Sequence, residues 1–182
     1  MVLIGVSFIA KGATNNDTAA VNLPVAATIT ISAPADVTLG TITGTGAATS
    51  STATWTVTTN NSAGYKLEWA ASSATMASGS DTVAAYTPAV ANTPETWSVA
   101  AADSEWGARL QSASTDTGAE WGTDSSTEKW LNVATSARQI VSRATETSSS
   151  NEIVEFKAEV GASKFQPTGT YTVNVTATAT TL

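Results

Sequence analysis

Residues 51–69 read STATWTVTTNNSAGYKLEW, and this stretch decides the fold class. From Ser51 to Thr59 the chain alternates strictly. Ala53, Trp55 and Val57 take one side, and Thr52, Thr54, Thr56 and Thr58 take the other. A period of two is the mark of a half-buried β-strand. Asn60-Asn61-Ser62-Ala63-Gly64 supplies turn residues, with a glycine placed for positive φ. Tyr65, Leu67 and Trp69 then carry an apolar face back along a second strand. The stretch is a hairpin with one core face and one hydroxyl-rich face.

The pattern extends in both directions. Ala27, Ile29 and Ile31 alternate with Thr28, Thr30 and Ser32, and Val37 to Thr43 reads as a further strand before a Gly44-Thr45-Gly46 turn. Val154, Phe156, Ala158 and Val160 alternate with Glu155, Lys157 and Glu159. Tyr171, Val173, Val175, Ala177 and Ala179 form the apolar face of a last strand, with Thr172, Asn174, Thr176, Thr178 and Thr180 opposite. Between residues 71 and 135 the signal weakens. Short strands are expected near 95–99, 108–112 and 130–133, joined by long loops, with one more at 139–144. Strands at this spacing predict an all-β chain, a single β-sandwich of immunoglobulin or jelly-roll kind. The expected division is an apolar arm at 1–12, a linker at 13–25 and the sandwich at 26–182.

Composition agrees. Of 182 residues 13% are charged and 42% hydrophobic, with a net charge of −7. Ala, Ser and Thr make up nearly half the chain. A sequence this apolar folds, so its solvent faces must be covered by Thr and Ser, which suits strands and an extracellular surface. With no Cys and no His there is no disulfide framework, no thiol nucleophile and no imidazole-based catalysis. Eight Lys and Arg neutralise too few phosphates for a nucleic-acid partner. No cofactor, no metal and no enzymatic activity are expected.

The hairpin Thr58-Thr59-Asn60-Asn61-Ser62-Ala63-Gly64-Tyr65-Lys66-Leu67 resembles the "TNN…GY.L" hairpin of prokaryotic secreted surface proteins. Pro167-Thr168-Gly169-Thr170-Tyr171-Thr172-Val173-Asn174-Val175-Thr176-Ala177-Thr178 resembles their "PxGTYTxxVTxTAT" final strand. The match spans about 25 residues. What the resemblance to these cell-surface, fimbria-like β-sandwich proteins implies is an extracellular structural or adhesive role.

Met1 to Ala10 is apolar but too short to span a bilayer. Read as a strand, it puts Val2, Ile4, Val6 and Phe8 on one face. It is then either a first strand of its own sheet or a donor strand that completes the next subunit. The second choice makes the chain its own partner in a head-to-tail homopolymer. Glu-Trp-Gly occurs at 105–107 and 120–122. Trp106 and Trp121 are candidates for stacking on sugars in a carbohydrate-binding module, or for filling the core. Asp103, Asp116, Glu120, Asp124 and Glu128 read as a solvated acidic surface more readily than as a Ca²⁺ site. Asn16, Asn60 and Asn174 begin glycosylation-type sequons. Lys66 and Lys157 fall on outer faces beside Glu68 and Glu155, which argues against a buried isopeptide crosslink.

Overall fold

The computed structural model describes residue 12, residues 14–111 and residues 129–182. The all-β expectation holds, with eleven strands and no helix among the described residues. They are β1 (Ile29–Ser32), β2 (Ala47–Thr59), β3 (Tyr65–Ala71), β4 (Met76–Ser78), β5 (Asp81–Ala85), β6 (Glu95–Thr96), β7 (Ser104–Leu110), β8 (Lys129–Trp130), β9 (Arg138–Arg143), β10 (Thr147–Val160) and β11 (Val175–Thr181).

A six-stranded sheet runs in the order β1-β2-β10-β7-β5-β4, a three-stranded sheet in the order β11-β3-β9, and β6 and β8 form a ribbon. The pairing is antiparallel except for a short parallel step between β5 and β7. The spine is the β2–β10 pair, which sets Trp55 opposite Glu152, Ala53 opposite Val154 and Ser51 opposite Phe156.

The two larger sheets share one core. Trp55 from β2, Trp69 from β3 and Phe156 from β10 meet with ring centroids 5.9 to 6.4 Å apart. Edge-to-face contacts of this kind add to the burial of the rings themselves. Opposite Trp69 and Leu67 of β3, strand β11 places Ala177 and Ala179. Large residues on one strand thus face small ones on the next.

One carboxylate enters this core. Glu152 is 0% exposed. Its Oε1 accepts a hydrogen bond from the Tyr65 hydroxyl at 2.6 Å and one from the Ser150 hydroxyl at 2.7 Å. Burial, with the Glu152 hydrogen bond adding to it, pushes the Tyr65 phenol well above its ordinary range.

Three strand expectations change. Val37–Thr43 forms no strand and joins no ladder. Instead it runs back beside β2, packing Val37 and Leu39 on the core while Gly40 passes against Thr49. Pro34 lies between this segment and β1; proline lacks an amide donor and interrupts a ladder. The strand expected at 108–112 is shifted to 104–110. The last strand starts at Val175 and not at Tyr171. Before that point Thr172 bridges Ala77 of β4 through two backbone hydrogen bonds.

The outer face of the large sheet has a second apolar layer. Trp97 stacks on Tyr86 at 4.5 Å and meets Trp130 edge-on at 5.3 Å. The Lys157 ammonium lies 5.0 Å from the Trp97 ring and 5.4 Å from the Trp130 ring. A side chain at Gly107 would press on Trp97, on Tyr86 and on the Leu131 carbonyl. The glycine therefore lets the aromatic layer lie flat on β7.

Candidate functional site: an exposed leading segment

Residue 12 and residues 14–28 have no regular structure, and each of them is exposed. Val21 is 94% exposed, Leu23 84% and Val25 76%. Three large apolar residues at a spacing of two thus stay almost wholly exposed among the described residues. The backbone of 14–25 makes no backbone–backbone hydrogen bond among the described residues. The sequence predicts a polar linker over 13–25. The Asn15-Asn16-Asp17 run and Pro24 drew attention away from the Val-x-Leu-x-Val row that could have revealed it.

The segment is anchored where it joins the domain. The Asn60 side chain accepts from the Thr28 amide at 2.7 Å and donates to the Ala26 carbonyl at 3.0 Å. The Thr59 hydroxyl donates to the Thr28 carbonyl at 2.7 Å. Next to it, the Asn61 amide donates to the carbonyls of Gly64 and Leu182, each at 2.9 Å. The two asparagines therefore gather the exit of the leading segment, the hairpin and the end of β11 at one pole of the domain.

From that pole runs the edge of β11. Its ladder partner is β3 on one side, and β1 approaches the other side without pairing. The apolar residues along it stay only half-buried, as do those on the opposite bank. Val175, Ala177 and Ala179, like Ile29, Val37 and Leu39, are partly buried and pack against the core. The outer positions Thr176, Thr178 and Thr180 are exposed and uncharged. The opposite edge of the same sheet differs: in β9, Ile140 and Val141 are fully buried and Arg138 and Arg143 flank them.

The other candidates sort as follows. Val2, Ile4, Val6 and Phe8 lie outside the described residues, and so do Trp121, Asp116, Glu120, Asp124 and Glu128. Trp106 is 2% exposed and sits in the core, donating its indole N–H to the Ala74 carbonyl at 3.0 Å. Such a ring presents no face to a sugar. Asn16 and Asn174 are exposed. Asn60 is exposed too, but its amide holds the leading segment. Lys66 pairs with Glu68 at 2.9 Å on an outer face. Lys157 is also on the outer face, beneath the tryptophan layer.

Two polar groupings were not anticipated. Glu155 accepts from Arg109 Nε and Gln111 Nε2, each at 2.6 Å, and the Arg109 guanidinium lies 5.0 Å from the Trp130 ring centroid. Burial alone would raise the Glu155 carboxyl. Hydrogen bonds from Ser50 and Arg109, the Arg109 charge and the Gln111 amide outweigh it and hold the group below the usual carboxylate range. The second is a polar cleft of about 330 Å³ at the β5–β7 step, lined by Thr87, Asp103, Glu105 and Lys164 among others. There burial, helped by the Asp103 and Glu159 charges, raises Glu105 against opposing hydrogen bonds from Thr87. No cluster of three or more metal-ligating side chains occurs among the described residues.

Compared with family models, curated proteins and solved structures, the chain matches none.

Proposed function

We propose that this chain is a structural subunit of an extracellular surface filament. It polymerises head to tail by lending its N-terminal segment to the next copy. The observation that carries the reading is the row Val21, Leu23 and Val25, exposed on a segment whose anchoring bonds, among the described residues, lie at its C-terminal end. Burying three such side chains is favourable by about 1.5 to 3 kcal/mol each. A monomer that leaves them exposed forgoes that stabilisation, and another copy of the chain supplies it through strand addition. The alternating apolar positions earlier in the sequence, Val2, Ile4, Val6 and Phe8, extend the same kind of row toward the N-terminus. The Thr-covered, charge-poor faces suit a secreted surface protein, and the exposed Asn16 and Asn174 sequons suit glycan attachment there.

The test is electron microscopy of the full chain beside a chain lacking residues 1–25. The full chain should form fibres, and the truncated chain should stay a folded monomer by sizing and circular dichroism. Fibres from the truncated chain would refute the role of the segment.

A further inference from the structure

Resting on that filament reading, we infer that the leading segment is a proteolytic control point. An endopeptidase that takes a small residue before the scissile bond and a branched apolar one after it cuts the free copy between Ala20 and Val21. The copy so cut ends a filament and does not extend it.

Access to the backbone is the first argument. A protease draws several residues of extended chain into its cleft, so susceptibility follows the burial and hydrogen bonding of the backbone. Residues 14–28 are exposed without a break. Among the described residues the next-longest exposed run is 89–93, and that loop is tied down. There the Thr93 amide donates to the Val90 carbonyl at 3.0 Å, and the Ala89 amide donates to Glu95 at 3.0 Å. Arg138 donates to the Asn92 side chain at 2.8 Å.

The limits of the segment come next. On its C-terminal side Asn60 holds Ala26 and Thr28, Thr59 holds Thr28, and β1 begins at Ile29. Toward the N-terminus the Thr18 amide donates to the neighbouring Asp17 carboxylate at 2.8 Å. Between these points, residues 19–25 make no backbone–backbone hydrogen bond among the described residues.

The side chains then select the bond. Residues 19–25 read Ala-Ala-Val-Asn-Leu-Pro-Val. Ala19 and Ala20 suit a narrow subsite, and Val21 offers a branched apolar side chain that is 94% exposed. The Leu23–Pro24 bond is a poor substrate, because the proline ring replaces the amide N–H.

The chemistry is hydrolysis. Water supplies a hydroxyl to the Ala20 carbonyl carbon, which becomes a carboxylate, and a proton to the Val21 nitrogen, which becomes an ammonium. The folded domain keeps its anchoring bonds at Ala26 and Thr28. The donor row does not survive. Val2, Ile4, Val6 and Phe8 leave with the fragment, and burying what remains would strip water from the new ammonium on Val21. The cut copy thus keeps every surface of its domain and loses a usable donor. In a fibre the segment is covered by the next copy, and the bond is out of reach.

Thermolysin, which cuts before branched and large apolar residues, is the probe. Residues 112–128 contain no Val, Leu, Ile, Met or Phe, so they offer it few bonds. From the free chain, mass spectrometry should find a stable product of residues 21–182. V21P should slow its formation at least about tenfold and leave the unfolding midpoint unchanged, and fibres of the full chain should be cut at least about tenfold more slowly than free copies. Purified cut copies, mixed in equal amount with intact chain, should shorten the fibres seen by electron microscopy. Four results overturn this inference and leave the filament reading standing: a first cut after Thr28, V21P cut as fast as the parent, fibres cut as fast as free copies, or fibre length unchanged by cut copies. If the full chain forms no fibres, the filament reading and this inference fall together.

Discussion

Gly64 shows how much one residue decides in the hairpin. Its φ is +84°, and a Cβ there would collide with the Arg143 carbonyl. Gly79 has a similar φ of +62° but open space around it. Gly64→Ala should therefore combine strain with a clash and lose about 3 kcal/mol, against about 1 kcal/mol for Gly79→Ala, in urea melts. Equal losses would mean that the clash relaxes freely. Glu155 predicts a pH dependence. Its folded-state pKa is depressed, so its contribution is complete above the unfolded value and is lost as pH falls through the folded one. Glu105 is raised and has the opposite sign: its contribution is present at low pH and lost as pH rises through its folded pKa. In melts between about pH 7 and pH 3, Glu155→Gln should flatten the acid loss of stability. Glu105→Gln should instead stabilise the protein near neutrality. The turn glycine was legible from sequence because Asn-Asn-Ser-Ala-Gly is local chemistry. The Glu155–Arg109 pair was not, because its partners are 46 positions apart and meet only through the β7–β10 register.

Among the elements, β10 bears the largest share of the packing. It is 14 residues long, lies between β2 and β7, and presents one face to the core and the other to the tryptophan layer. Phe156→Ala opens a cavity between Trp55 and Trp69 and should cost about 4 kcal/mol. Lys157→Met, on the opposite face, keeps the stem and removes the cation above two rings. It should cost about 1 kcal/mol, and a loss as large as that of Phe156→Ala would show that the outer layer is as critical as the core. β2, β3, β10 and the end of β11 were legible because each alternates apolar with polar residues, so period two appears plainly. β6 and β8 were obscured because two-residue strands carry no period. The outer tryptophan layer also escaped notice, since it covers a face whose Glu, Lys and Arg pattern reads as solvent-exposed.

The whole molecule carries a net charge of −7, so copies repel one another at low ionic strength. Under the assembly proposed above, fibre formation should accelerate as salt rises from about 10 mM to 150 mM, because the screening length falls from about 30 Å to 8 Å. Light scattering would show it, and slower assembly in salt would point to a charge-driven contact. Leu23→Asp should abolish fibres and leave the unfolding midpoint unchanged, since the Leu23 side chain is exposed. The strand address of the core was legible at this scale, but the role of residues 13–25 was not. A donor row and a linker have the same composition, and only the exposure of Val21, Leu23 and Val25 in the fold separates them. The Asn60 anchor has a mechanical consequence. A pull on the leading segment enters the domain through the Asn60 amide and the Thr59 hydroxyl and then through β1, whose four residues pair antiparallel with Thr56–Thr59. Tension along that strand loads its hydrogen bonds together, in shear, instead of peeling them one at a time. Rupture would then come abruptly, at the short β1 seam, while the 14-residue spine behind it stays intact.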